Sequence, residues 1–559
     1  MESADNGISR RNFLRGGAAV AAVAVGSGLV GCSSAPKQAA WEPGKWDEET
    51  DVVVVGYGGA GIAAAITMKS EGLGDVVVLE AAPKEFEGGN TRVSGNIMFQ
   101  PETADAAFNY QKYLNGEYEV DDNLLKAWSV MMVDNIQWLK DLGGNPQTIP
   151  RTAEFAEAPD ADKVKIYCID GEYGNASLWN MLKTKEEPLG YTVHHEARVK
   201  SLICNPETNE ACGAVAEMPD GTTLTVKARK AVILSCGGFE NNAEMVKTYY
   251  HIGAPYCFYY GTPWNKGDGF NLVAPFGAKL WHMNNFSGGH LATRVSKDEG
   301  FTSIPKIHGK NWIYVGADST RFLYEETTGE QRHGKIRFHG TWTSYPSPQP
   351  IHLIAGEGAI TNNYLPNIAV MWPSQGPFWP SGKGADIQQM IKDGIIAKAD
   401  TIEELAKKIQ RDPVALAATI NQYNEYCAAG VDPDFHRGES FYEYGKTGIG
   451  NNEGAAAVMK TEKVEVIKPF ALEPINPPYY AIETRTVFIN SQGGPMRNEN
   501  CQILDTNEQP IPRLYGCGEF GSIYSSQYNG GGNVSEAIAT GRTAARHAGT
   551  LEAWDKKKA

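Results

Sequence analysis

Six residues, Gly56-Tyr57-Gly58-Gly59-Ala60-Gly61, stand between a β-branched run, Asp51-Val-Val-Val-Val55, and a helical stretch, Ile62 to Ser70. Their chemistry is anion binding. Gly56 permits a tight turn, Gly58 lets the backbone approach a pyrophosphate, and Gly61 lets the helix pack on the strand. Gly59 and Ala60 open that helix and offer unpaired N–H groups to the anion. A second strand, Val76 to Leu79, ends in Glu80, which lies 24 residues after Gly56 and can accept hydrogen bonds from a ribose diol. Strand, glycine turn, helix, strand and acid together predict a dinucleotide held on a βαβ unit.

The elements that position this turn belong to a chain of 559 residues, too long for one core, so two domains are expected. With 42% hydrophobic and 21% charged residues the composition is that of a soluble globular protein. A net charge of −15 argues against nucleic acid as a partner, because phosphates need basic patches. Nine cysteines show no C-x-x-C, haem-attachment or metal spacing, so no metal is expected. The N-terminus reads as an address. Ser9-Arg-Arg-Asn-Phe-Leu-Arg15 and the small apolar run Gly16 to Gly31 resemble a twin-arginine export signal. The run is shorter than the ~20 residues a spanning helix needs. Leu29-Val30-Gly31-Cys32 resembles a lipoprotein box, which implies a membrane anchor at Cys32. Residues 1–31 are thus read as signal and 32–48 as a tether.

Five ordered motifs extend the reading to the cofactor. Gly88-Gly-Asn-Thr91 with Ser94-Gly95 resembles the GGNT-x-x-SGG segment of the fumarate reductase and 3-ketosteroid dehydrogenase flavoprotein superfamily. Lys230-Ala-Val-Ile-Leu-Ser-Cys-Gly-Gly-Phe-Glu-Asn-Asn242 resembles that family's strand-to-loop segment. Gly267-Asp-Gly269 with Gly277-Ala278, Arg513-Leu-Tyr-Gly-Cys-Gly-Glu519 and Gly541-Arg542 complete the set. The resemblance implies an α/β fold: a discontinuous Rossmann-type FAD-binding domain, 49–284 and 489–552, with an inserted α+β capping domain, 285–488. It implies that Asn90, Thr91 and Gly95 line the pyrophosphate and flavin, that the Val199 backbone meets the adenine, and that Gly237 and Gly238 pass close to the dinucleotide. Asp268 and Glu519 would hold ribityl or ribose hydroxyls, and Asn533, Val534 and Ser535 would cover the pyrimidine edge. Two positions depart from the family: the second glycine of SGG is Asn96, and the usual base after the ribose acid is Ala81. The histidine that tethers flavin in some relatives is Asn90, which implies non-covalent FAD.

Within the insertion, Thr401 to Gln410 reads as a helix with a capping box from Thr401 to Glu404, and Asp412-Pro413 starts a second helix. Both resemble the family's cap. The family's dicarboxylate grips are missing: Asn490 stands at the His position, Asn529 at an Arg position and Gly329 at the acid Arg position, with Arg332 nearest. A lost carboxylate–Arg bond removes roughly 1.5–3 kcal/mol, which argues against fumarate. Tyr528 followed by Gly532 looks like the ketosteroid dehydrogenase pair that holds a ketone, or else a turn that only packs on flavin. Arg332, His333 and Tyr324 are candidate proton donors, the latter two chemically easier than an arginine. Arg332 pairing with Glu325, and His333 as a plain loop residue, are the alternatives. Trp312, Tyr314, Trp342, Tyr345, Trp372 and Trp379 form either an aromatic pocket or a core. The expected activity is an exported FAD-dependent oxidoreductase that reduces a C=C conjugated with a carbonyl in a small enone, enoate or ketone. A separate membrane or cytochrome protein would supply electrons. A dehydrogenase of a cyclic ketone and a lipid-anchored binding protein with a silent flavin are the rivals.

Overall fold

Uninterrupted β-branched runs form strands when both faces are covered, and the valines here do so. The computed structural model describes residues 41–150, 153–155, 157–252, 254–259, 261–294, 302–303, 311–323, 325, 332–338, 341–344, 346–360, 387–435, 437 and 472–556. The export signal, Cys32, Tyr324, Tyr345, Trp372 and Trp379 lie outside these residues. The largest sheet runs in the order Gln502–Leu504, Pro510–Gly516, Thr223–Leu234, Glu48–Val55, Val76–Leu79, Thr192–His194. All neighbours in this row are parallel except the first pair. Arg198–Asn205 and Glu210–Glu217 attach antiparallel to its long strand. Val52, Val53 and Val54 are fully buried, so the first strand lies at the centre of the core.

Two helices cover one face of that sheet, Gly59–Ser70 and the last one, Gly532–Thr550. They cross where Gly541 meets the Ala60 carbonyl, a point with no room for a Cβ. A small sheet, Val164–Ile169 between Met98–Pro101 and Pro146–Thr148, packs its Phe99 with Tyr110, Trp128, Tyr524 and Tyr528.

The second large sheet is organised by one thirteen-residue strand, Tyr479–Ser491. Its first half pairs with Ile351–Ala355 and Ile396–Ala399, its second half with Phe286–Arg294 and Cys257–Tyr259. Trp312–Val315 is buried on both faces, and its side chains alternate between them: Trp312 and Tyr314 join one cluster, Ile313 and Val315 the other. Those two aromatics are therefore core rather than pocket wall. The helices Ile402–Lys408 and Pro413–Ala429 cover the second cluster, capped by Thr401 on the Glu404 N–H and by Asp412 on the N–H groups of Val414 and Ala415. This sheet takes Cys257–Tyr259 from before position 285, and its long strand runs through 488, so backbone pairing is continuous across both expected domain boundaries. Residues Pro43–Ala559 form one compact unit.

Candidate active site

The glycine turn is shaped by contacts that exclude side chains. Gly56 sits at φ +95°, and a Cβ there would strike the Ser235 carbonyl; at Gly61 it would strike the Gly56 carbonyl. Gly58 differs. A Cβ on it would find only Gly88 O at 3.8 Å and Gly89 Cα at 3.9 Å, so space lies open before the helix. Gly58 has no side chain to cap that helix, and Thr91 Oγ1 accepts the Gly59 N–H at 3.1 Å, so this N–H, expected to be free for the anion, is already engaged. Ala60 is buried against the last helix.

Glu80 ends its strand beside this turn. Its carboxylate accepts the Tyr57 N–H at 2.5 Å and the Ala82 N–H at 2.7 Å. Burial pushes it above the ordinary carboxylate range, while the two N–H groups pull it back. A carboxylate has about four acceptor positions, so two remain for a diol. The Glu80 carbonyl accepts from Ala197, which brings the buried Val199 alongside. Asp268 is paired with Arg198 of that same strand and remains partly exposed. Asn96 explains its own departure from glycine: it holds φ +54°, accepts the Leu178 N–H at 3.1 Å and donates to Ser94 O at 2.8 Å. Asparagine tolerates the left-handed region better than most residues. Gly95 packs under the Tyr173 ring.

Asn90 is the hub of the second wall. Its Oδ1 accepts the Thr262 N–H at 2.8 Å, and its Nδ2 donates to Glu240 at 2.8 Å and to Glu519 at 3.1 Å. Gly237, at φ +67°, packs on Asn265, and Gly238 lies under both carboxyls. Across the gap the last helix starts at Gly531, at φ +90°, with no side-chain cap. Asn533 Oδ1, Ser535 Oγ and Glu519 Oε1 are buried without a protein partner, and Val534 lies among them in sequence. An open helix N-terminus, a diol acceptor and three orphaned polar atoms fit FAD.

A second constellation joins the aromatic cluster to the long-strand sheet. Ser287 Oγ donates to Tyr528 Oη at 3.0 Å and meets His333 Nδ1 at 3.1 Å. His333 Nε2 lies 3.0 Å from Glu154 Oε2, and its ring stacks on Tyr528 with centroids 4.5 Å apart. His333 takes φ +51° in the turn Arg332–Gly334, a costly conformation that aims its ring inward. Sequence reasoning named Tyr528 and His333 but missed Ser287 and Glu154, which carry no motif. It also missed Lys335, buried, donating to Phe286 O at 2.9 Å and lowered by burial to about 7.

Two candidates change role. Asn529 does not face a substrate: its Oδ1 accepts Tyr110 Oη and the Glu154 N–H, both at 2.7 Å, and its Nδ2 donates to Gly530 O. The Gly532 N–H is engaged by the Asn529 carbonyl at 2.8 Å, so it is not a free donor for a ketone. Gly532 is required instead because Tyr524 and Tyr528 crowd its Cα. Asn490 lies opposite Ser287 in the sheet register. The partner of Glu325 is Arg321, at 2.8 Å, in a buried network with Asp432.

The fold and the glycine-turn site define a flavin oxidoreductase. Residues 51–535 match the FAD binding domain family, and residues 7–26 match the signal sequence of the twin-arginine translocation pathway. The chain belongs to the FAD binding domain family and is an FAD-dependent oxidoreductase, of the class whose members act on CH–CH bonds. It is 25% identical to digoxin reductase of Eggerthella lenta, over 99% of this chain and 98% of that protein. It is 24% identical to a probable fumarate reductase of Shewanella frigidimarina, over 92% of this chain and 80% of that protein. The fold is shared with the 3-ketosteroid Δ1-dehydrogenase of Sterolibacterium denitrificans, at a TM-score of 0.67 and 21% identity, covering 90% of this chain and 99% of that one.

Proposed function

We propose that this protein is an exported reductase that adds hydrogen across a C=C conjugated with a carbonyl, in an enone, enoate or related ketone and not in fumarate. The observation that carries the reading is the chain Tyr528 Oη, Ser287 Oγ, His333, Glu154. FAD, once reduced, supplies the hydride. The protein's own residues handle the proton. Tyr528 Oη protonates the carbonyl oxygen as charge develops there, and the enol so formed tautomerises to the saturated carbonyl, moving that proton to the α-carbon. Ser287 Oγ restores the Tyr528 proton and His333 Nδ1 restores that of Ser287, while Glu154 holds the ring through Nε2. Asn529 holds the Glu154 backbone in place. Asparagines stand at 490 and 529, so these two positions offer no cation to a second carboxylate.

Residues 285–488 act as the cap over the flavin, and Arg332 stands at the mouth of the turn that carries His333. Asn90 has no nucleophilic nitrogen, so FAD is held without a covalent bond. Electrons come from a separate membrane or cytochrome protein, and Cys32 carries the lipid anchor. The reductase names of two relatives support the direction. Run backwards, the same chain would take a proton from a cyclic ketone, and Glu154 as its terminal acceptor suits that reading too.

The test is anaerobic. Protein bleached by dithionite is mixed with a cyclic enone, with cinnamate and with fumarate. Reoxidation by the enone or cinnamate, with acid releasing the flavin to the supernatant, supports the proposal. Efficient reoxidation by fumarate overturns it. Bleaching of the oxidised flavin by a saturated cyclic ketone favours the dehydrogenase, and inertness toward all of them a binding protein.

A further inference from the structure

Two acids sit together at the cofactor wall with no cation to balance them. Glu240 is fully buried, and its Oε1 accepts from Asn90 Nδ2 and Asn265 Nδ2, both at 2.8 Å. Glu519 Oε2 accepts from Asn90 at 3.1 Å. The direction of the Asn90 amide is not free to reverse, because its Oδ1 takes the Thr262 N–H. Both carboxyls are thereby oriented, and the oxygens left over, Glu240 Oε2 and Glu519 Oε1, have no other partner. Each lies less than 3.0 Å from the point a Cβ on Gly238 would occupy, so both crowd the same spot. Neither forms an ion pair with a lysine or arginine among the described residues.

We propose that Glu240 and Glu519 share a single proton across Gly238, and that this proton is what lets the acid wall accept anionic FAD. Two buried carboxylates this close cannot both ionise at low cost. With one proton between them the pair carries one negative charge and a donor; without it, two negative charges face a cofactor that is itself an anion. Gly238 is required because a Cβ there would strike Ser491 Oγ and both carboxyls. Burial pushes both carboxyls above the ordinary range, and for Glu519 the charge of Glu240 adds to it. The Tyr250 phenol also faces the pair and is raised by burial. The inference rests on the FAD assignment and not on the substrate reading.

The experiment follows FAD release from the holoenzyme, by flavin fluorescence, from about pH 6 to about pH 10. Wild type should lose FAD affinity by about tenfold or more toward the alkaline end, as the second charge appears beside the cofactor. Glu240→Gln keeps the acceptor for Asn90 and donates permanently to Glu519, so its FAD affinity should stay flat over the same range. In infrared difference spectra at pH 6, against the constant background of Glu80 and of Glu536, which burial pushes up to about 7, wild type should show a protonated-carboxyl component missing from both Glu240→Gln and Glu519→Gln. An alkaline loss of FAD as steep in Glu240→Gln as in wild type overturns the proposal. So does a difference spectrum in which either single substitution removes no carboxyl component. Retention of FAD with failed enone reduction would count against the substrate reading alone.

Discussion

At the scale of single residues, the relay is the part most open to test. Tyr528→Phe removes one donor at a developing oxyanion and should lower turnover by about 10²–10³ while FAD stays bound. Ser287→Ala cuts the same path one atom further back, so the double variant should be little slower than either single one. Additive losses measured by stopped flow would mean the two hydroxyls act separately. Lys335 yields a pH prediction. Its amine is lowered to about 7 by burial, against about 10.4 in an unfolded chain. Between these values the unfolded state binds more protons, so this residue's contribution to stability rises with pH and is at its worst below 7. Lys335→Met should therefore gain stability relative to wild type at pH 6 and lose much of that advantage by pH 9, in paired thermal melts. An equal offset at both values would refute the burial of the amine.

At the scale of elements, the site depends on where strands and helices end. The strand Tyr479–Ser491 crosses from the cap sheet to the flavin wall, carrying Asn490 opposite Ser287 and presenting Ser491 Oγ to the Phe239 N–H at 3.0 Å. The turn Arg332–Gly334 meets the neighbouring strand Phe286–Arg294, where His333 reaches Ser287. The first and last helices meet at Gly541 and Ala60, which sets how the last helix presents Asn533 and Ser535. Gly541→Val would push those helices apart and should cost roughly 1–3 kcal/mol and lower FAD occupancy. Gly44→Ala, with nothing within 4 Å of the added methyl, serves as the control and should be neutral. Equal melting temperatures for the two variants would show that the helix crossing is loosely packed.

At the scale of the whole molecule, the twin-arginine match joins cofactor and location. That route carries folded proteins, so FAD would be loaded before export. Changing both Arg10 and Arg11 to lysine should leave the yellow holoprotein in the cytoplasmic fraction, and wild type should be recovered with membranes and begin at Cys32. Export of the double variant at the wild-type level would refute the signal. A mature protein that begins elsewhere would refute the lipid anchor but leave the signal intact.

The sequence by itself determined the dinucleotide turn, because a glycine pattern between a valine strand and a helix encodes backbone geometry within a few residues. It also determined the helix caps at Thr401 and Asp412, the family and the export address, all of which are local or ordered along the chain. Only the tertiary structure brought together the residues of the proposed proton path. Glu154, Ser287, His333 and Tyr528 come from four separate segments, and no spacing rule links them. It also withdrew Asn529 and the Gly532 N–H from the substrate, since whether a polar group faces a pocket or bonds inward depends on which distant residue packs against it. The Glu240–Glu519 pair has the same origin: two acids 279 positions apart (519 − 240) become neighbours because Asn90, from a third segment, holds both.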